Sequence, residues 1–320
     1  MFQKLFRKIK SKSLMYFDNR TFRVLNSLPN SGQLTFVDIG AAGEIQPRWK
    51  PFSRKLNYIG FEPDERSISN IQNKSNNFLS YSILPHAISD QRGDIEFNLT
   101  RVPEKSSTYE PNDKVLKKFP DFQRFELTEK IKLSSVPMDE ILEDEVDFIK
   151  IDIQGGELNV LKGADATLER TLGLELEVEF IDMYKSQPLF GDLCELLSKK
   201  GFEFIDFLNL CRWEREDLDG LGQCIWGDAL FLRGPEDINF NKLEINKISS
   251  YFTILIVHRR FDLIDRTLQL LPDELSADFS EFKMQLNKAK SANNSVRFLV
   301  SSLNRVIAFF GSDYRIHLIY

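Results

Sequence analysis

Three short stretches put carboxylates and glycines where nucleotide chemistry needs them. Val37-Asp38-Ile39-Gly40-Ala41-Ala42-Gly43 is an apolar run closed by an acid and a glycine turn. Gly60-Phe61-Glu62-Pro63-Asp64 ends in a second acid, 24 positions after the first. Phe148-Ile149-Lys150-Ile151-Asp152-Ile153-Gln154-Gly155-Gly156-Glu157 is a third apolar run that ends in acid and glycines. A carboxylate at a strand end accepts hydrogen bonds from ribose hydroxyls, and glycine lets backbone approach a ligand where a Cβ would block it. The spacing of Asp38, Gly40 and Glu62 therefore points to a bound ribose, with Pro63 ending the strand beside it. Asp152 would project at the same edge, facing the first glycine loop. His86-Ala87-Ile88-Ser89-Asp90 would sit beside an adenine, with Ala87 and Ile88 as one wall, and His86 is either a loop histidine or a general base near the transferred group.

These side chains need a sheet to hold them. Residues 34–39, 56–62, 81–87, 146–152 and 172–180 read as buried strands of a doubly wound α/β sheet, whose carboxyl edge binds ligands. Residues 95–99 alternate as an edge strand, 131–138 read as another strand, and 202–208 with 229–232 complete a pair. A polar helix is expected over 66–77 and another helix over 193–200, the latter stopped by Gly201, and a short one starts at Met138. Glu175, Glu177 and Glu179 alternate with Leu174, Leu176 and Val178; such a pattern is usually a solvated face, with at least Glu179 able to reach the ligand edge. Residues 105–125 are polar and irregular, suited to a lid or substrate loop.

Composition narrows the field. The chain has 320 residues, 42% of them hydrophobic, enough for a large core. A net charge of −6 and a pI near 5.4 argue against nucleic acid as a partner. Cys194, Cys211 and Cys224 show no paired spacing, so neither a disulfide scaffold nor a metal site is indicated, and a reducing cytoplasm is the simple expectation. No apolar run reaches the length of a membrane span, and no signal-peptide core is present.

Three segments emerge: 1–30, 31–234 and 235–320. In the first, Phe2, Leu5, Phe6 and Ile9 share a helical face ringed by lysines and Arg7. Residues 1–14 suit either peripheral contact with the inner face of an anionic membrane or packing of that face on the domain. The last segment reads as a mostly helical appendage, with apolar stretches at 243–257, 261–271 and 296–310. It would serve as a dimer surface giving a homo-oligomer, an acceptor-binding cap or a partner module. His258 and His317 read as packing or surface residues.

The ordered set of motifs, with Leu161-Lys162-Gly163-Ala164, Val178-Glu179-Phe180, Tyr184 and Gln187-Pro188-Leu189-Phe190, resembles the FkbM family of S-adenosylmethionine-dependent methyltransferases over residues 34–232. The resemblance implies a class I (Rossmann-like) methyltransferase sheet, mostly parallel, with helices on both faces. It implies S-adenosyl-L-methionine as cofactor and O-methylation of a sugar, glycan or natural-product hydroxyl. By position, Asp38, Gly40 and Ala41 would lie by the methionine part, Glu62 and Pro63 by the ribose, Ala87, Ser89 and Asp90 near adenine, and Asp152 at the methyl-transfer edge. The chain departs from the family twice: Glu44 replaces a usual glycine, and Gln154 replaces a usual acid.

In-line methyl transfer asks the protein to align two atoms and take up a proton. Asp152, Glu157, Glu179 and His86 are the candidate bases, Asp152 foremost. A metal-assisted route through carboxylates such as Asp152 and Glu179 stays open, although no ligand cluster calls for one. Two other readings compete. A nicotinamide oxidoreductase would use a similar layout, but Gly40-Ala41-Ala42-Gly43 lacks the full dinucleotide fingerprint. A non-catalytic descendant binding a glycan or a partner would account for Gln154 and the added C-terminal segment.

Overall fold

The computed structural model describes residues 21–43, 45–64, 77–142, 145–215 and 220–290. The leader helix, Glu44, the helix expected over 66–77 (Asn77 apart) and the stretch 296–310 lie outside the described residues. The chain forms two compact units, Leu34–Ile238 and Met1–Gln33 with Asn239–Tyr320.

In the unit Leu34–Ile238, each short apolar run becomes a strand. β1 is Leu34–Ile39, β2 Leu56–Phe61, β3 Ser80–Leu84, β4 Ala87–Ile88, β5 Gly93–Thr100, β6 Leu127–Val136, β7 Phe148–Ile151, β8 Gly173–Glu179, β9 Glu203–Trp213 and β10 Gln223–Leu232. Seven of them form one sheet in the order β3-β2-β1-β7-β8-β10-β9. The pairs from β3 to β8 are parallel, and β10 is antiparallel to both its neighbours. The strand order reverses between β1 and β7, which opens a crevice at their carboxyl ends.

The two faces of this sheet differ. Val37, Ile39, Ile149, Ile151, Leu174, Leu176 and Val178 point into one apolar core with Val160, Leu161, Leu168, Leu193 and Leu197 of the helices Glu157–Lys162, Asp165–Arg170 and Phe190–Lys199. On the other face Phe36 packs against Trp49, Tyr58 and Phe148, with ring centroids 5.0, 5.9 and 5.6 Å away. Toward the carboxyl ends the same face turns charged, because Asp38, Lys150 and Glu175 are register partners across β1, β7 and β8.

Three expectations need correction. The run 81–87 is not one strand: β3 ends at Leu84 before Pro85, and Ala87–Ile88 pairs with β6 in a separate sheet, β4-β6-β5. Glu175, Glu177 and Glu179 do not form a solvated face; they are 2%, 5% and 0% exposed, because β8 is an interior strand covered on both sides. Residues 105–125 are not irregular throughout. They hold short helices at Asp113–Leu116 and Phe122–Phe125, and they contribute Leu116, Phe119 and Phe125 to a second apolar cluster with Tyr184 and Ile225.

The other unit is helical where described, with Ile245–Val257 and Phe261–Leu270 as its main elements. Its core stacks Phe252 on Phe279 and Phe282 at 5.2 and 4.7 Å. Thr253 Oγ1 donates to Gly32 O and Ser250 Oγ to Gln33 O, both at 3.1 Å, tying the two stretches of this unit together. Many of the 27 phenylalanines fall in such clusters, another of which joins Phe180, Phe190, Phe204, Phe207 and Phe231. No helix among the described residues is long and apolar enough to cross a membrane.

Candidate active site at the carboxyl edge

The crevice is built by two loops set back to back. After β1 the chain turns at Gly40, whose φ of +83° is a left-handed conformation that glycine adopts freely. A Cβ there would lie 2.1 Å from Asp152 O, so only glycine lets the two loops touch. Gly40 and Ala41 N–H both donate to Phe61 O, and Asp152 N–H donates to Ile39 O. Backbone bonds thus fix the tips of β1, β2 and β7 together, with Ala42 and Gly43 left exposed.

A buried charge network lies beneath. Lys150 Nζ is 3.1 Å from Asp38 Oδ1, 3.5 Å from Asp152 Oδ2 and 3.4 Å from Gly40 O. The Tyr58 hydroxyl donates to Asp38 Oδ2 at 2.7 Å. Burial opposes the Lys150 charge, but Asp38 and Asp152 outweigh it and hold the amine above the ordinary lysine range. Burial raises Asp38 above the usual aspartate value, against the pull of Lys150 and Tyr58. Asp152 goes the other way: burial lifts it, but Lys150 and further hydrogen bonds hold it below the ordinary range. Its side chain remains 39% exposed, so an ionised carboxylate faces the crevice.

Glu62 follows β2, with its backbone N–H on Leu84 O and its Oε1 accepting from Asp64 N–H at 2.8 Å. Burial raises its pKa to about 7. Pro63 is half-buried beside it. Ile88, Ser89 and Asp90 line a cavity of about 450 Å³ with Ile153, Tyr109 and Asn159. Ala87 does not line it, because its pairing with β6 buries it. A Cβ on Gly163 would lie 2.1 Å from Ser89 O, which explains a glycine where that turn meets the helix Glu157–Lys162. His86 lies on the link between β3 and β4; among the described residues it neither lines this cavity nor joins the Asp152 network.

Behind Asp152 lies a set of acids around Gln154. That residue has φ +62°, and its Nε2 donates to Asp152 Oδ1 at 3.3 Å and to Glu177 Oε2. Its Oε1 receives Lys105 Nζ at 3.2 Å and the Tyr184 hydroxyl at 3.1 Å. Ser107 Oγ donates to Gln154 O, and Pro111 bridges to Tyr184, so the 105–112 segment is pinned over the acids. Glu157 Oε1 accepts from Ile153 and Gly155 N–H at 3.0 and 3.2 Å, and burial raises its pKa to about 7. Burial lifts Glu177 and Glu179 well above the carboxylate range. Both Glu179 oxygens lack a hydrogen-bond partner among the described residues. Among those residues no three acids, histidines or cysteines are grouped to hold a metal ion.

Sequence reasoning missed Lys150, Tyr58 and Lys105 as site residues, and it singled out Gln154 and Tyr184 without their contacts. One signal was available for Lys150: a lysine between Ile149 and Ile151 in a central strand must have a buried acidic partner.

The family model for the Methyltransferase FkbM domain matches residues 38–204, just over half the chain and every strand tip described above. The chain belongs to the FkbM methyltransferase family. Among solved structures it is similar to methyltransferase FkbM from Methylobacillus flagellatus KT, at 18% identity over 63% of this chain and 44% of that one, with a TM-score of 0.37. It is also similar to the magnesium protoporphyrin IX methyltransferase of Synechocystis PCC 6803 with bound SAM, at 10% identity over 71% and 82% of the two chains and a TM-score of 0.35. The precorrin-6y C5,15-methyltransferase of Geobacter metallireducens GS-15 matches at 12% identity over 68% and 87%, with a TM-score of 0.34. The chain thus spans less than half the length of the first of these. No curated protein matches the chain.

The methyl donor of an FkbM methyltransferase is S-adenosylmethionine, and the crevice suits it. The site offers a glycine turn with exposed backbone at 42–43, a buried acid at the next strand tip, and a cavity walled by Ser89 and Asp90. These are the parts a nucleoside with a charged tail requires.

Proposed function

We propose that the unit Leu34–Ile238 methylates a hydroxyl oxygen of a sugar, glycan or natural-product acceptor. The observation that carries this reading is Asp152, an ionised carboxylate open to the crevice at the strand-order switch point. When bound, S-adenosylmethionine supplies a sulfonium methyl that is electrophilic without further activation. The protein then has to align an acceptor hydroxyl and receive its proton. A hydroxyl oxygen becomes strongly acidic as it forms its third bond, so a carboxylate of lowered pKa is basic enough to take the proton. Burial lifts Glu177 and Glu179 well above the carboxylate range, and Glu157 is buried with Oε1 on the Ile153 and Gly155 amides, which leaves the partly exposed Asp152 as the proton acceptor. Asp38 and Gly40 would hold the amino-acid part of the donor, Glu62 the ribose, and Ser89 with Asp90 the base.

A hydroxylated ring as acceptor is supported by the far wall. Trp226 is the register partner of Glu179 and is half-buried, and Lys105 Nζ is 6.0 Å from its ring centroid. An indole beside neutral carboxyls offers a stacking surface and hydrogen bonds to hydroxyls. The test is transfer of isotopically labelled methyl from S-adenosylmethionine to a panel of sugars and hydroxylated natural products, with wild type and Asp152→Asn. A loss of about 100-fold or more in the variant's rate at saturating donor is expected. Equal rates in the two proteins would remove Asp152 from the role, and no transfer to any hydroxyl by wild type would sink the acceptor class.

A further inference from the structure

We propose that Lys150 sets the charge of the cofactor crevice, so that the site binds the cationic methyl donor and its neutral demethylated product with comparable strength. The proposal rests on the methyl-transfer reading. Lys150 is a buried cation whose side chain is 9% exposed, and it touches the acids at the tips of β1 and β7, Asp38 and Asp152. The neighbouring cation, Arg48, is already matched by Glu175 at 2.5 Å. Two carboxylates and one ammonium leave a formal charge of −1 at the tips of β1 and β7 (two negative, one positive).

That charge matters because of how the donor changes. S-adenosylmethionine carries a sulfonium; S-adenosylhomocysteine carries a neutral thioether and is otherwise the same ligand. Positive charge on sulfur disperses as the methyl leaves. A site of charge −2 would stabilise the donor more than the transition state, which raises the barrier to transfer. Lys150 offsets one of the two acids and so limits that penalty. It also explains why a lysine occupies the middle of an apolar central strand, where its desolvation is costly.

The test is calorimetric measurement of Kd for both ligands with wild type, Lys150→Met, Asp38→Asn and the double variant. Their local charges are −1, −2, 0 and −1 by the same count of Asp38, Asp152 and Lys150. The readout is the ratio of product Kd to donor Kd. Lys150→Met should raise that ratio on the order of tenfold, Asp38→Asn should lower it by a similar factor, and the double variant should restore it. A merely structural role weakens both ligands together and leaves the ratio unmoved. If Lys150→Met does not fold, Asp38→Asn and the charge-matched double variant decide the matter. A ratio constant within about twofold across the folded variants overturns the proposal while leaving methyl transfer intact. Failure of folded wild type to bind either ligand overturns the methyl-transfer reading and this inference together.

Discussion

The pH dependence of cofactor binding should follow Glu62. The residue is 6% exposed, and burial raises its pKa to about 7. A carboxylate accepts hydrogen bonds on both oxygens only when ionised. If only that form receives the ribose hydroxyls, the apparent Kd carries a factor of one plus ten to the power of (pKa − pH). The factor is about 11 at pH 6, about 2 at pH 7 and about 1.1 at pH 8. Binding should therefore tighten roughly tenfold from pH 6 to pH 8, equivalent to about 1.4 kcal/mol. S-adenosylhomocysteine is the ligand of choice for calorimetry, since it removes the sulfonium charge from the comparison. Glu157, also near 7, and Asp228, near 6, titrate in the same range, so the control is Glu62→Gln, which leaves both in place. The variant should bind more weakly, with the slope lost. A flat wild-type profile, or an unchanged slope in Glu62→Gln, would refute the reasoning.

Three further outcomes follow from the same geometry. Glu62 and Glu157 have folded pKa values near 7 against about 4.3 when unfolded, so between those values the folded state holds more protons and stability falls as pH rises. Each group costs the folded state about 2 kcal/mol between pH 5.5 and pH 8, so melting followed by fluorescence should give a higher Tm at pH 5.5 than at pH 8; the opposite order would contradict the buried-acid account. Gly40→Ala should abolish donor binding, because its Cβ would lie 2.1 Å from Asp152 O and φ is +83°; wild-type affinity by calorimetry would show that the two loops separate without cost. Asp139 caps the helix Asp165–Arg170 from a distance, accepting from Ala166 N–H at 2.9 Å and from Thr167 N–H and Oγ1 at 2.8 and 2.7 Å. Asp139→Ala should cost about 1–2 kcal/mol in denaturant unfolding, and an unchanged midpoint would remove the capping role.

The sheet was legible wherever an apolar run ended in an acid or glycine. β1, β2, β7 and β8 fall within a residue or two of the expected runs, because buried parallel strands need continuous apolar sequence. Alternation alone was less informative. Glu175, Glu177 and Glu179 show a half-exposed pattern, yet the strand is interior, and Glu175 and Glu177 meet partners distant in sequence, Arg48 and Gln154. The break at Pro85 was visible as a residue that cannot donate to a ladder, but the move of Ala87–Ile88 to a second sheet depends on β6, far along the chain. Asp38, Glu62 and Asp152 could be named from their places at strand tips. Lys150 and Gln154 could not be given roles, because these come from contacts across three strands. Gln154 also shows why an amide is accommodated where an acid is usual: its NH₂ donates to the Asp152 carboxylate, which an ionised acid in its place would repel, and to the buried Glu177 carboxyl.

Methyl transfer by this chain requires that the crevice between β1 and β7 hold S-adenosylmethionine. Calorimetry with S-adenosylmethionine and S-adenosylhomocysteine, on wild type and Glu62→Ala with NAD as a control ligand, tests it most directly. Micromolar binding of both sulfur ligands to wild type is expected, with its loss in Glu62→Ala and no binding of NAD. A folded wild-type protein that binds neither sulfur ligand, or that binds NAD in their place, would contradict it.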